Sequence, residues 1–219
     1  MSRIWNGNIA NYLAPLANAH GDFPTVAAWV KLASYAANSG TTRPVAGQWD
    51  SGGKAEMLFV NFNGKVGYEV NIPPISSKAG ATTLPLNEWH HVAGTYDGTI
   101  RVYLDGVLDG SLAVGGFTVD TSGGTWRIGY SSAGPWVWDG EIQDAALWSR
   151  PLTAKEIAAL AGGVSPSRIT NALLSHIPIW GEESPEPDFR RGAAANIVGT
   201  LPQGSSPLPP VASPFSAAG

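Results

Sequence analysis

Two Asp-Gly pairs, Asp97-Gly98 and Asp105-Gly106, constrain this chain more tightly than any other feature. They lie in the stretch NEWHHVAGTYDGTIRVYLDGV, residues 87–107. Each is flanked by runs rich in Val, Ile, Tyr and Thr, and an Asp-Gly pair supplies the positive φ angles of a tight two-residue hairpin turn. The spacing predicts three successive antiparallel strands, over 89–96, 99–104 and 107–114. In the middle strand Ile100, Val102 and Leu104 alternate with Thr99, Arg101 and Tyr103, so one face packs on a core and the other meets solvent or a partner. In the first strand Trp89 and Ala93 share one face while Val92 and Tyr96 share the other, which predicts cover on both.

A chain organised by turns should be mostly β, and its composition agrees. It has 27 Gly and 17 Pro in 219 residues, with only 14% charged, a profile of many short strands and turns. The 43% hydrophobic content suffices for the core of one domain. A net charge of -4 gives no general attraction to nucleic acid or to an anionic membrane. With no cysteine, disulfides, thiolate metal sites and cysteine nucleophiles are excluded. The N-terminal MSRIWNGNIANYL lacks the apolar run and cleavage site of a signal peptide, and no stretch approaches the ~20 apolar residues of a membrane span. The expectation is a chain made in the cytoplasm and not exported by the usual route.

In chain order, residues 1–22 read as an irregular lead-in with one short strand, and PTVAAWVKL (24–32) as a strand partly covered on both faces. A loop follows over 33–42, then strands over 43–50, 56–62 and 64–72, the last two joined by Asn63-Gly64. A loop with Pro73-Pro74 and Gly80 leads into the central meander. Beyond it, 124–130 and 136–148 read as strands. Thr153 with Glu156 makes a capping box, Ile157 and Leu160 an apolar stripe, and Gly162-Gly163 a stop, which predicts one short helix plugging an end of the fold. Residues 165–180 contain a helical turn and a strand, and 195–201 a further short strand. The tail 203–219, rich in Pro and uncharged, reads as an extended arm held by a neighbouring subunit.

About ten short strands with a single helix predict an all-β, antiparallel jelly-roll sandwich. NEWHHVAGTYDGTIRVYLDG followed by WDGEIQDAALWSRPLTAKEIAAL resembles the laminin-G-like jelly roll of the concanavalin A-like lectin and glucanase superfamily, of the type found in phage proteins. The likeness is strongest over 24–162, with 165–202 as a closing segment, giving one domain over 1–202 and the arm beyond it. The closing segment carries Arg191-Gly192-Ala193-Ala194-Ala195 where such sequences usually have a Ser-Gly-Asn-Gly run.

Enzymes, lectins and structural proteins share this fold, so function must come from sites. Glycosidases of the superfamily carry Glu-x-Asp-x-x-Glu on one strand, because retaining hydrolysis needs two carboxyls about 5 to 5.5 Å apart. That arrangement is missing, and Glu182, Glu183, Glu186 and Asp188 read as a solvated loop. His90 and His91 point to opposite faces of a strand and share no metal. His20 and His176 stand in unrelated contexts, and no serine lies in a nucleophile elbow. These features predict a protein that is not an enzyme. Relatives hold calcium at a rim of the sandwich, and the candidate acids are Asp50, Asp97, Asp120, Asp139 and Asp144; turns account for Asp97, Asp105 and Asp109, so no metal site is assigned.

A sugar ring stacks on an exposed indole while polar neighbours orient it. Trp136 and Trp138, beside Asp139, are the leading glycan-binding candidates, followed by Tyr35, Trp49 and Asp50. The competing reading buries Trp138 and Trp148 in the core and covers Trp136. Two function classes follow. One is a structural component of a phage virion, decorating the capsid or attached to a fibre, that associates with itself or other virion proteins through Pro207, Leu208, Pro209, Pro210, Val211 and Phe215. It takes precedence on the missing export signal, a domain starting at Met1 and the arm. The other is a stand-alone glycan-binding module of lectin type.

Overall fold

The computed structural model describes residues 2–6, 12–14, 22, 24–35, 42–50, 53–72, 74–116, 118–119, 126–134, 136–180, 185–190 and 194–205. The first strands are β1 (Arg3–Asn6), β2 (Tyr12–Ala14), β3 (Thr25–Leu32), β4 (Thr42–Asp50), β5 (Gly53–Asn61), β6 (Lys65–Val70) and β7 (Ser76–Thr83). The meander is β8 (Trp89–Tyr96), β9 (Thr99–Leu104) and β10 (Val107–Ala113). Next come β11 (Arg127–Ile128), β12 (Tyr130–Ser131), β13 (Trp136–Val137), β14 (Asp139–Trp148) and helix α1 (Ala154–Ala161). After a 3-10 turn at Pro166–Arg168 the chain ends in β15 (Leu173–Ile177), β16 (Glu186–Pro187) and β17 (Ala194–Val198). None of the described helices is long and apolar enough to cross a membrane.

Two antiparallel sheets form the sandwich. The first runs β1-β14-β3-β8-β9-β10, with β15 also on β14; the second runs β16-β17-β2-β11-β4-β5-β6-β7. The predicted hairpins form, but the two Asp-Gly turns differ: at Asp97-Gly98 only the glycine (φ 94) has positive φ. Asp105 (φ 50) and Gly106 (φ 80) both take the left-handed conformation between β9 and β10. The core lies between the sheets, where Val26, Val30, Val92, Val102, Ile142 and Leu147 meet Leu58, Val60, Val66 and Tyr68. The layers touch at Gly94, where a Cβ would lie 2.2 Å from Cγ of Tyr68.

Expectation and structure differ in instructive places. The expected loop before the meander contains β7, SSKAGATT, whose small side chains carry little strand propensity and which is held by backbone pairing with β6. The strand expected over 124–130 is broken at Gly129 (φ 78) into β11 and β12. That expected over 136–148 divides into β13 and β14, because Trp138 turns its backbone N–H to the Gly129 carbonyl at 2.9 Å. Helix α1 has the expected Thr153/Glu156 capping box, with Gly162 as its C-cap. It does not plug an end of the sandwich, however: Ile157 and Leu160 pack with Ala27, Ala93, Tyr103, Ala146 and Trp148 on the outer face of the first sheet.

Burying ionisable groups leaves two opposed signatures. His91 is almost fully buried, edge-on to Trp29 at 5.6 Å, with Nδ1 unpartnered. Burial lowers its pKa to about 4, against a smaller opposing effect from Asp105. Its contribution to stability is therefore complete above the unfolded value of 6.5 and drains as pH falls towards 4, roughly 3 kcal/mol over that window. Glu56 is fully buried with neither oxygen hydrogen-bonded, and burial raises its pKa well above 4.5. Stability there is complete below 4.5 and drains as pH rises. In chemical denaturation across acid to neutral pH, His91→Phe should flatten the acid-side loss, whereas Glu56→Met should raise stability at neutral pH by at least about 1 kcal/mol.

Candidate functional site

β14 enters the first sheet beside an open cleft of about 230 Å³, lined by Asp139, Gly140 and Glu141 together with Ile4, Lys31, Ala33 and Asn87. Backbone geometry fixes its walls. The Ala33 N–H donates to the Asp139 carbonyl at 3.0 Å, and the Asn87 N–H to that of Leu32 at 2.8 Å. Asn87 holds the left-handed φ of 61° that Asn tolerates better than most residues. Gly140 has φ 136°, and a Cβ there would lie 2.0 Å from the Lys31 carbonyl oxygen.

The polar groups converge on Glu141. Register sets it opposite Lys31, whose Nζ lies 2.9 Å from Oε1. Ser2 Oγ donates to Oε2 at 2.7 Å, and Ser205 donates from both its backbone N–H and its hydroxyl. Burial acts to raise the Glu141 carboxyl, but hydrogen bonds from Ser2, Lys31 and Ser205 together outweigh it and hold the group below its ordinary value. Asp139 moves the other way, raised by burial and opposed by the charge of Arg43. Arg43 is itself buried, with Nη1 on the Asn61 carbonyl at 3.1 Å.

Two carboxylates on one strand with opposite shifts invite comparison with a hydrolytic acid/base pair. Glu141 cannot serve as the base in this state, because its neighbours' four donor groups engage the lone pairs that would have to receive a proton from water. A second constellation joins Ser167, His176 and Asp144. Ser167 Oγ lies 2.7 Å from Nδ1 of His176, whose Nε2 lies 2.9 Å from Asp144 Oδ1. The imidazole is buried and meets Phe189 edge-on at 5.7 Å. The nook beside Asp144 has room of about 10 Å³, the size of one water, and neither Ser167 nor His176 lines it. The trio ties the 3-10 turn, β15 and β14 together.

The sequence-predicted glycan residues fall in separate places. Trp138 is fully buried in the core and presents no face to a sugar, so the competing core reading holds for it and for Trp148. Trp136 and Trp49 do meet, on the outer face of the second sheet with Met57 and Phe59, where Trp49 is buried and Trp136 half-buried. Tyr35 packs against the Gly64 turn and donates its hydroxyl to the Leu84 carbonyl at 2.5 Å. Asp139 alone lines the cleft. The side chain of Asp50, and Pro207, Leu208, Pro209, Pro210, Val211 and Phe215, lie outside the described residues.

Of the calcium candidates, Asp97 pairs with Arg101 at 2.7 Å and Asp144 with His176, while Asp120 lies outside the described residues. Among the described residues no three His, Asp or Glu side chains converge as a metal-binding set. Sequence reasoning missed Lys31, Asn87 and Glu141. The available signal was a lysine in the otherwise uncharged TVAAWVKL and an acidic residue early in GEIQDAALW, but only the register makes them partners.

A family of laminin-G-like domains within the concanavalin A-like lectin/glucanases superfamily matches residues 7–158. The chain belongs to this superfamily. A comparison with curated protein sequences finds no match. Among solved structures, a Bacteroides ovatus protein assigned to carbohydrate binding aligns with TM-score 0.71 and 16% identity, covering 95% of this chain and 60% of its own. This chain thus spans well under two thirds of that protein. A heptameric pentraxin from Limulus polyphemus aligns at 0.61 and 18% identity, covering 90% and 94%. Domain 4 of an extracellular arabinanase from Geobacillus stearothermophilus, in complex with arabinotriose, aligns at 0.56 and 18%, covering 73% and 76%. At these identities the likeness is one of fold.

The cleft wall provides its own check. Gly140→Ala should cost about 1–3 kcal/mol in urea denaturation, because its φ of 136° and the Lys31 carbonyl leave no room for a Cβ; an unchanged midpoint would mean that β14 does not meet β3 in this way.

Proposed function

We propose that this chain is a non-catalytic carbohydrate-binding module of lectin type, with the cleft at the start of β14 as its binding site. The observation that carries this reading is the convergence of a carboxylate pair, an ammonium and a side-chain amide, from Asp139, Glu141, Lys31 and Asn87, around one open cleft. Such groups supply both donors and acceptors, which is what orienting a polyhydroxylated ring requires. The sandwich shared with the Bacteroides protein and the arabinanase domain supports the same class. This reverses the order of the two sequence-based expectations. Neither the fold nor the comparisons add support to a role in a phage particle, and most of the arm on which that role relied lies outside the described residues.

A glycan array is the first test. The intact protein should bind a subset of neutral oligosaccharides. Asn87→Gly keeps the left-handed turn while removing the amide, and Asp139→Asn keeps shape while removing charge. Each should weaken binding about ten-fold without loss of folding. Loss on Trp136→Ala instead would move the site to the aromatic cluster of the second sheet, and an array silent at high protein concentration would overturn the carbohydrate reading.

A further inference from the structure

Ser205 stands beside the cleft and engages two charged groups of its wall, Glu141 and Lys31. Its hydroxyl lies 3.0 Å from Oε2 and 3.2 Å from Oε1 of Glu141, and accepts from Lys31 Nζ at 3.4 Å and from Trp89 Nε1 at 3.1 Å. Its backbone N–H donates to the same Oε2 at 2.5 Å. Serine's two donors sit on adjacent carbons, N–Cα–Cβ–Oγ. That is the atom sequence of a vicinal diol with nitrogen in place of one oxygen. A carboxylate that accepts from both, an ammonium and indole N–H that donate, and a half-buried indole alongside form a complete set of partners for one edge of a sugar ring.

We propose that Glu141, Lys31 and Trp89 form a subsite for a vicinal diol of a sugar ring, and that Ser205 of this chain fills it as an internal competitor. The inference rests on the carbohydrate-binding reading of the cleft and specifies the chemistry it selects. Ser205 is exposed and held at this place by polar bonds. The anchoring of the segment lies upstream, where Leu201 is buried, the Pro202 carbonyl accepts from Ile4 N–H at 2.9 Å, and Gln203 bridges to Arg3. The Gly204 N–H also donates to the Ser2 carbonyl at 2.9 Å, so Ser205 alone can leave the carboxylate while that anchor stays, and a diol restores the bonds it gives up. While Ser205 is in place, apparent affinity for sugar is reduced by the fraction of molecules in which the subsite is open.

Gly204 provides a switch that does not shorten the chain. A Cβ there would lie 2.1 Å from Glu141 Oε2 and 2.5 Å from Ser2 Oγ, so in Gly204→Val the segment and the Glu141 carboxylate cannot keep their present contact. The experiment compares three proteins by titration calorimetry against arabinotriose, cellotriose and methyl α-mannopyranoside: the full chain, Gly204→Val, and a chain ending at Gln203. Both variants should bind at least one of these sugars about ten-fold more tightly than the full chain. Periodate cleavage of the diol should abolish that gain, and Trp89→Phe in the shortened chain should reduce it. Equal affinity in all three proteins would overturn the competitor while leaving the cleft as a carbohydrate site. Weaker binding by both folded variants would make Ser205 part of the site and overturn the proposal. No binding by any of the three, together with a silent array, would overturn both readings.

Discussion

Everything in this molecule is placed by the pairing of β14. It pairs with β3 over residues 140–143 and 146–148 along one edge, while the other edge is shared by β1 over residues 139–142 and β15 over residues 145–148. The handover occurs at a bulge where Asp144 takes a φ of 51° and donates its N–H to the Pro178 carbonyl. A strand with both edges occupied leaves little backbone unsatisfied, and its side chains are fixed to one face or the other. The first half of β14 presents Asp139 and Glu141 to the cleft. The second half presents Ala146 and Trp148 to the cluster under α1. One strand thus supplies both a wall of the cleft and the platform under α1.

The features legible in the sequence were those written in local chemistry. Asp105-Gly106 fixes its turn through its own backbone preference, and Thr153 with Glu156 caps a helix within four residues. Strand β7 was illegible because only the two threonines at its end favour an extended chain; β6 supplies the reason from elsewhere. The cleft was illegible for a related reason. Lys31 and Glu141 are 110 positions apart and become a pair only through the β3–β14 register.

The tryptophans illustrate the same limit from the other side. Nine indoles in a chain of lectin-like pattern draw the eye towards stacking, but Trp126, Trp138 and Trp148 are among the largest fully buried side chains and serve as filler between or behind the sheets. Composition reports how much aromatic surface a chain owns and says nothing of which side of a sheet it faces. The polar residues of the cleft wall are sparser, and their burial is expensive unless each finds a partner, so a charged pair across two paired strands is the more informative feature.

Ser2 and Ser205 approach each other at Glu141, and the Gly204 N–H donates to the Ser2 carbonyl at 2.9 Å. Residues 2 and 205 thus lie side by side at one carboxylate. Tension applied through these two positions would reach a single carboxylate before it reached either sheet, and would part β1 from β14 bond by bond like a zipper. The same closeness allows the whole sandwich to be carried on a surface loop of another protein with little distortion of either, its cleft beside the stalk.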